Sequence, residues 1–215
     1  MSSLKDISGN SRKLNDNYED NNYLNLSQED KINKISSNFK EIMLTLGLDL
    51  NDESLKETPN RVAKMYVQEL FEGLDESKMP DSSLFPNDYS YNSMLVEKDI
   101  DLYSICEHHF VPIIGKAHVA YIAKDNIIGL SKINRIVRYF SKRPQVQEKL
   151  TKQIVDALKL ILNIEDVACV IDAKHLCVNM RGVRDAQSST LTAIYSGKFK
   201  EANIRQEFLR YINKN

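Results

Sequence analysis

Residues 93–123 read SMLVEKDIDLYSICEHHFVPIIGKAHVAYIA, and this stretch predicts the first two strands of the fold. It holds two segments rich in β-branched, aromatic and apolar residues, about 93–105 and 110–123, and the polar group CEHH interrupts them. A later run, DVACVIDAKHLCVNMRGV at 166–183, predicts a buried strand, and a last strand is predicted near 189–195. The chain therefore has four predicted strands, in two pairs.

Amphipathic segments surround these strands and predict five helices. Their apolar residues recur at helical spacing at about 27–47, 58–73, 127–140, 146–162 and 201–212. Ser27 is the predicted N-cap of the first helix, with Asp30 three residues later, and Gly47 is its predicted end. The order of two helices, two strands, two helices, two strands and one helix predicts a fold of mixed helix and sheet.

Length and composition argue against several classes of protein. With 215 residues, 42% of them hydrophobic, the chain can bury the core of one ordinary domain. Its 29 Lys and Arg nearly balance 30 Asp and Glu, and a net charge of -1 argues against a generic binder of nucleic acid or of anionic membranes. The sequence has neither an apolar run of about twenty residues nor a signal-peptide core, which predicts a soluble, cytoplasmic protein.

The chain divides into three predicted regions. Residues 1–25 are rich in Asn, Ser, Asp and Lys and predict a disordered polar tail, because too little apolar area is present to offset the entropy of ordering. We expect an N-terminal helical region over 26–92, in which 79–92 is a long loop, and an α+β domain with the candidate catalytic residues over 93–215.

Five of the seven Cys and His residues fall in two short segments, and this clustering predicts a metal site. The five are Cys106, His108, His109, His175 and Cys177. Thiolate and imidazole are the ligands that zinc prefers, and three protein ligands plus water is the catalytic pattern. Two surplus imidazoles would then be available for acid and base chemistry. Each short motif is weak when taken singly, so packed thiols and imidazoles without a metal remain the alternative.

The spacing of these residues predicts how the two halves of the site form. Cys106 and His109 could reach one ion from a turn at a strand end, while His175 and Cys177, two apart on a predicted strand, would face the same side. The two residues left over, His118 and Cys169, lie inside apolar strand patterns and are predicted to be packed core residues.

A collinear series of motifs resembles the GTP cyclohydrolase I family. The motifs are ETPNRVAKMY, SICEHHFVPIIGKAHVAY, IIGLSKINRIVRYF, RPQVQEKLTKQI, DAKHLCVNMRGVRDAQSSTLT and GKF, and they span roughly residues 31–212. Members of this family open the guanine ring of GTP and form 7,8-dihydroneopterin triphosphate. The resemblance implies the same activity here, as a hydrolase acting on a cyclic amidine in the first step of folate or related pterin biosynthesis.

The resemblance also implies roles for individual residues. The implied zinc ligands are Cys106, His109 and Cys177, and the implied catalytic residues are His108, His175 and Ser131. Guanine would be anchored by Glu148, with Gln147 beside it. The triphosphate contacts would be Lys132, Arg135 and Arg181, with Arg61 as a further contact. Taken singly, such cations are usually solvated surface residues, and Glu148 could be half of an exposed ion pair.

The implied fold is α+β, a four-stranded antiparallel sheet with helices packed on one face, known as the tunnelling or pterin fold, with an N-terminal helical extension. The implied assembly is a homodecamer of two stacked pentamers, and the implied partner is GTP, with no nucleic acid or membrane. Two alternatives stay open. One is a zinc-stabilised protein that binds a purine or pterin without turnover, and the other is a pterin-synthase relative that acts on a later intermediate.

Overall fold

The computed structural model describes residues 26–81 and 83–213, which divide into two units, 26–72 and 73–213. The predicted polar tail, residues 1–25, lies outside the described residues. The first unit is helical and the second contains the sheet, so the α+β class is confirmed. Among the described residues, no helix combines the length and the apolar composition that crossing a bilayer requires.

Two packed helices form the first unit. Helix α1 (Gln28–Thr45) begins as predicted, because Ser27 Oγ accepts a hydrogen bond from the Asp30 backbone N–H at 3.1 Å. Helix α2 (Thr58–Met65) is shorter than predicted and continues as a π-helical turn over Tyr66–Leu70.

Four long strands form the main sheet of the second unit. Strands β2 (Met94–Cys106), β3 (Pro112–Ile122), β6 (Val167–His175) and β7 (Thr190–Tyr195) pair antiparallel in this order. A fifth strand, β5 (Pro144–Gln145), adds to the free side of β2 in parallel. The sheet therefore has five strands rather than the predicted four. A separate ribbon pairs β1 (Leu84–Pro86) with β4 (Asn126–Ile128), within segments predicted as loop and helix.

One face of the sheet is covered by α3 (Leu130–Ser141) and α4 (Gln147–Leu162). Strand side chains alternate between faces, so Val119 and Tyr121 on β3 share this core with Cys169 on β6. The predicted apolar stripe of α4 contributes its buried residues to the same core, among them Leu150, Ile154 and Leu158.

The opposite face carries the last helix, α6 (Ala202–Ile212). Phe208 of α6 and Phe199 of the preceding turn pack on small side chains of the sheet, which include Ala120 and Ala168. The prediction that the helices pack on one face is therefore wrong. The physical reason is that β6 is apolar and buried at five consecutive positions, 167–171, and because successive side chains point to opposite faces, both faces of the strand bury surface.

The candidate metal ligands lie where β2 and β6 end. Strand β2 ends at Cys106, and β6 ends at His175, after which one helical turn, α5 (Leu176–Asn179), carries Cys177. The prediction that His175 and Cys177 lie together on a strand is therefore wrong, because the chain changes to helical geometry between them.

Candidate metal centre and active site

Three side chains converge at this end of the sheet. The ligand atoms of Cys106, His109 and Cys177 all lie within 4.8 Å of one another, and the two sulfur atoms are 3.8 Å apart. Two thiolates bound to one tetrahedral zinc ion, with bonds of about 2.3 Å, place their sulfur atoms roughly 3.8 Å apart. The spacing and the chemistry of this group therefore fit zinc.

Strand β3 brings the two halves of this group together. At its start, Pro112 pairs with Ile105 on β2 and Ile113 pairs with His175 on β6. Cys106, at the end of β2, and Cys177, just after the end of β6, therefore lie close together beside β3, although they are 71 positions apart in sequence.

A tight turn presents His109 to the group. The Phe110 backbone N–H donates to the Cys106 carbonyl at 2.9 Å, and the Cys106 N–H donates to the Val111 carbonyl at 2.9 Å. Phe110 adopts a φ of 54°, a left-handed conformation that is costly for a bulky residue. Such strain is often found where the chain positions a functional side chain.

The two thiols favour a bound cation. Burial raises the pKa of the Cys177 thiol, and the adjacent Cys106 raises it further. Two thiolates at this separation repel each other, and a divalent ion removes that repulsion by coordinating both. The donor set therefore suits a metal better than it suits two free thiolates.

His108 lies beside the group rather than in it. Its Nδ1 atom is 3.9 Å from Cys106 Sγ, and its exposed ring stands edge-on to that of His109, with the ring centres 6.4 Å apart. This arrangement matches the division of the two histidines that the resemblance implies, although the catalytic role of His108 stays a prediction.

His175 is held by Gln147, whose side chain is 1% exposed. The Gln147 amide nitrogen donates to the carbonyls of Ile171 at 3.0 Å and Thr190 at 2.8 Å. Carbonyl oxygens only accept, so the Gln147 Oε1 atom must face His175, whose Nε2 lies 2.7 Å away. His175 therefore carries its proton on Nε2, and Nδ1 is the basic atom of the ring. The Gln147 side-chain amide therefore orients His175, and the substrate contact that the resemblance implies for Gln147 stays a prediction.

Burial and charge act on His175 in opposite directions. Burial lowers the pKa of the imidazole, and the carboxylate of Glu148 opposes this effect because it favours the charged ring. Since the pKa is lowered on balance, His175 is mostly neutral near pH 7. The influence of Glu148 indicates that this exposed residue, on the first turn of α4, lies close to the same site.

The predicted phosphate contacts lie on three different elements. Lys132 and Arg135 are three positions apart on α3 and share one face, with Ser131 preceding them. Arg181 follows α5, and its positive charge partly offsets the raised pKa of the Cys177 thiol, which places Arg181 near the metal group. Arg61 is exposed on α2 in the helical unit.

An ion pair beside the metal group was not predictable from the sequence. Lys149 on α4 contacts Glu107 with Nζ and Oε2 2.5 Å apart, and Glu107 is the residue between Cys106 and His108. The two residues are 42 positions apart on different elements, so no local periodicity predicts their contact. The sequence shows only that CEHH and QVQEK contain opposite charges.

The two predicted core residues are buried as expected. Cys169 is fully buried among apolar side chains, which raises the pKa of its thiol to about 12. His118 is also buried, and its Nδ1 accepts a hydrogen bond from the Asp99 backbone N–H at 3.1 Å.

An α+β domain with two thiols and one imidazole grouped at its strand ends, and two further imidazoles beside them, has the composition of a catalytic metal site. The sequence model of the GTP cyclohydrolase I family matches residues 35–213. The chain is 59% identical to "GTP cyclohydrolase 1" of Flavobacterium johnsoniae over 187 residues. The aligned region covers 87% of this chain and 84% of the relative. It is 54% identical over 188 residues to "GTP cyclohydrolase 1" of Salmonella arizonae, covering 87% and 85%. The chain belongs to the GTP cyclohydrolase I family and is an enzyme of that family.

Among solved structures, the chain is similar to the archaeosine synthase QueF-Like in its apo form. The TM-score is 0.42 and the identity 15%, over 49% of this chain and 94% of that one. A likeness of this size indicates nothing about the reaction.

Proposed function

We propose that the chain catalyses zinc-dependent hydrolysis of GTP at guanine C8. Formate is released, and rearrangement and ring closure give 7,8-dihydroneopterin triphosphate, the first intermediate of folate-type pterin biosynthesis. The observation that carries this proposal is the group of Cys106, His109 and Cys177 within 4.8 Å, in a chain of the GTP cyclohydrolase I family.

The metal group and the two further imidazoles have separate roles in the proposed reaction. When bound, zinc supplies Lewis-acid activation of water near neutral pH. His108 donates a proton or a hydrogen bond to guanine N7 as negative charge develops there. His175 accepts and returns protons through Nδ1, because Gln147 keeps the other ring nitrogen protonated. Ser131 assists the later rearrangement of the ribose.

Glu148 supplies specificity for guanine. Its carboxylate can accept two hydrogen bonds, from N1–H and the 2-amino group of guanine, and adenine does not present this pair of donors. Its position one residue after Gln147, with an electrostatic effect on His175, supports a place beside the reacting base.

Local cations bind the triphosphate. GTP carries about four negative charges near pH 7, so a chain of net charge -1 needs a local cluster of positive charge to hold it. The proposed triphosphate contacts are Lys132, Arg135 and Arg181, and the resemblance implies Arg61 of the helical unit as a further contact. Arg181 has the most direct support, because its charge acts on the ligand Cys177.

The assembly we propose is a homodecamer with the tunnelling fold, in which each site takes residues from neighbouring subunits. Strand β5 pairs only with Ile105 and Cys106, so the rest of β2 has a strand neighbour on one side only among the described residues. An open edge of this length presents unpaired backbone groups that can pair with a strand of another chain. The helical region 26–92, the catalytic domain 93–215 and the cytoplasmic location stay predictions.

Turnover and metal content, measured on the same preparation, test the proposal. Purified protein should contain zinc and convert GTP to formate and a fluorescent pterin. Zinc-loaded protein that binds GTP without releasing formate would contradict the proposal and favour a binding protein.

Substitution of single cysteines tests the ligand set. Cys106→Ser and Cys177→Ser should each lose zinc and turnover, because oxygen replaces thiolate poorly at a soft site. Cys169→Ala is the matched control and should keep both, since this thiol is buried in the core. Full zinc occupancy in either serine variant would remove the proposed ligand set.

A further inference from the structure

The short segment 144–149 contacts the first half of the metal group through its backbone. Strand β5 pairs with the end of β2, with Cys106 opposite Gln145. The Glu107 N–H donates to the Gln145 carbonyl at 2.9 Å. The position of the CEHH turn is therefore tied to the chain that enters α4.

The same segment contacts the second half through side chains. Gln147 binds His175 at 2.7 Å, and its amide nitrogen bonds the carbonyl of Ile171 on β6. The segment thus joins the two parts of the chain that supply Cys106 and Cys177.

Lys149 completes the connection to the turn. Its Nζ lies 2.5 Å from Glu107 Oε2 and 3.5 Å from the Pro144 carbonyl, so one ammonium group links the turn, β5 and α4. The two side chains are partly buried, at 39% exposure for Lys149 and 23% for Glu107, which reduces screening by solvent.

We propose that Lys149 is a positioning residue for the metal centre. By holding Glu107, it fixes the turn so that Cys106 and His109 face the ion that Cys177 also binds. This inference rests on the proposed zinc site. Lys149 acts through Glu107 and is not itself one of the proposed metal ligands or substrate contacts.

The test measures zinc release from the loaded enzyme to a colorimetric chelator. Lys149→Met keeps the aliphatic stem and removes the charge, and it should release zinc about 10-fold faster, the scale of losing a residue that orients metal ligands. Glu107→Gln should have a similar effect. The double variant should release zinc no faster than either single variant, because both remove the same contact. Lys149→Arg should restore most of the slow release.

Lys152→Met is the matched control. Lys152 lies on the same helix and forms a pair of the same length, with Asp156 at 2.5 Å, but that pair does not contact the turn. The control should release zinc like the wild type. In Lys149→Met, kcat for GTP should fall while KM stays within about twofold, because a positioning residue does not bind substrate.

The possible outcomes separate this inference from the proposed function. Wild-type protein without zinc or turnover would contradict the proposed function itself. Zinc release within twofold of wild type in a folded Lys149→Met variant would overturn only the role of Lys149. A rise in KM for GTP with unchanged zinc release would also overturn it, because Lys149 would then be a substrate contact.

Discussion

Replacing Gln147 with Met tests whether this residue orients His175 or contacts guanine. Met has a similar length and packs well, but it cannot donate to the carbonyls of Ile171 and Thr190 or accept from His175. A buried polar group left without a partner costs about 1–3 kcal/mol. The carbonyl of the fully buried Ile171 should incur most of this cost when it loses its partner. The carbonyl of the exposed Thr190 should incur less, because water can replace the lost donor. We expect a loss of about 2–3 kcal/mol in the free energy of unfolding.

The kinetic effect of the same change is more informative. Without the Gln147 oxygen, His175 can rotate and exchange its proton between the two ring nitrogens, so the basic atom no longer faces one direction. We expect kcat to fall by roughly 10- to 100-fold, with KM for GTP within about twofold. Urea unfolding and steady-state release of formate measure the two effects on the same preparation.

Gln153→Met provides the control. Gln153 is a buried glutamine on the same helix, and its Oε1 accepts from the Gln145 side chain at 2.8 Å rather than from a histidine. This variant should lose stability without a comparable loss of kcat. A Gln147→Met variant whose kcat stays within twofold of wild type would show that Gln147 does not orient His175. A raised KM with normal kcat would return Gln147 to the guanine contact that the resemblance implies.

Three further changes test the remaining residues. His109→Ala should release zinc, whereas His108→Ala should keep it and lose turnover by roughly 100-fold, as expected of a general acid; metal analysis that finds equal loss would mean the two roles are assigned wrongly. Glu148→Gln replaces one of two acceptors with a donor, so affinity for a non-hydrolysable GTP analogue should fall by about 10-fold or more, and unchanged affinity in calorimetry would exclude Glu148 from the site. Burial lowers the pKa of His118 from its ordinary value of 6.5. As the pH falls below about 6.5, the unfolded chain therefore binds a proton at His118 more readily than the folded chain does, and the free energy of unfolding decreases. His118→Gln can still accept the hydrogen bond from the Asp99 N–H but cannot take up a proton. Between about pH 7.5 and about pH 5, the variant should therefore lose less unfolding free energy than the wild type. An equal loss in both proteins would contradict this prediction.

The longer elements were predictable because their signals are local. Helix α1 begins at the predicted cap, and β2, β3 and β7 lie within one or two residues of their predicted bounds. Hydrogen bonds within a turn and the period of apolar residues depend only on near neighbours in sequence.

The shortest elements were not predictable for the opposite reason. Strands β1, β4 and β5 have two or three residues each, and each is a strand only because a partner distant in sequence completes its hydrogen bonds. The packing of α6 on the second face likewise depends on how Phe208 meets Ala120 and Ala168. No local pattern specifies that contact.

Which residues can hold a metal ion follows from their identities alone, because the affinity of thiolate and imidazole for zinc is a property of the side chains themselves. Which of these residues converge, and in what orientation, depends on contacts that form only in the folded chain. Cys106 and Cys177 meet because both strand ends pair with β3, and His175 has one basic nitrogen because two carbonyls determine the direction of the Gln147 amide. These contacts join parts of the chain far apart in sequence, and their geometry exists only once the sheet has formed.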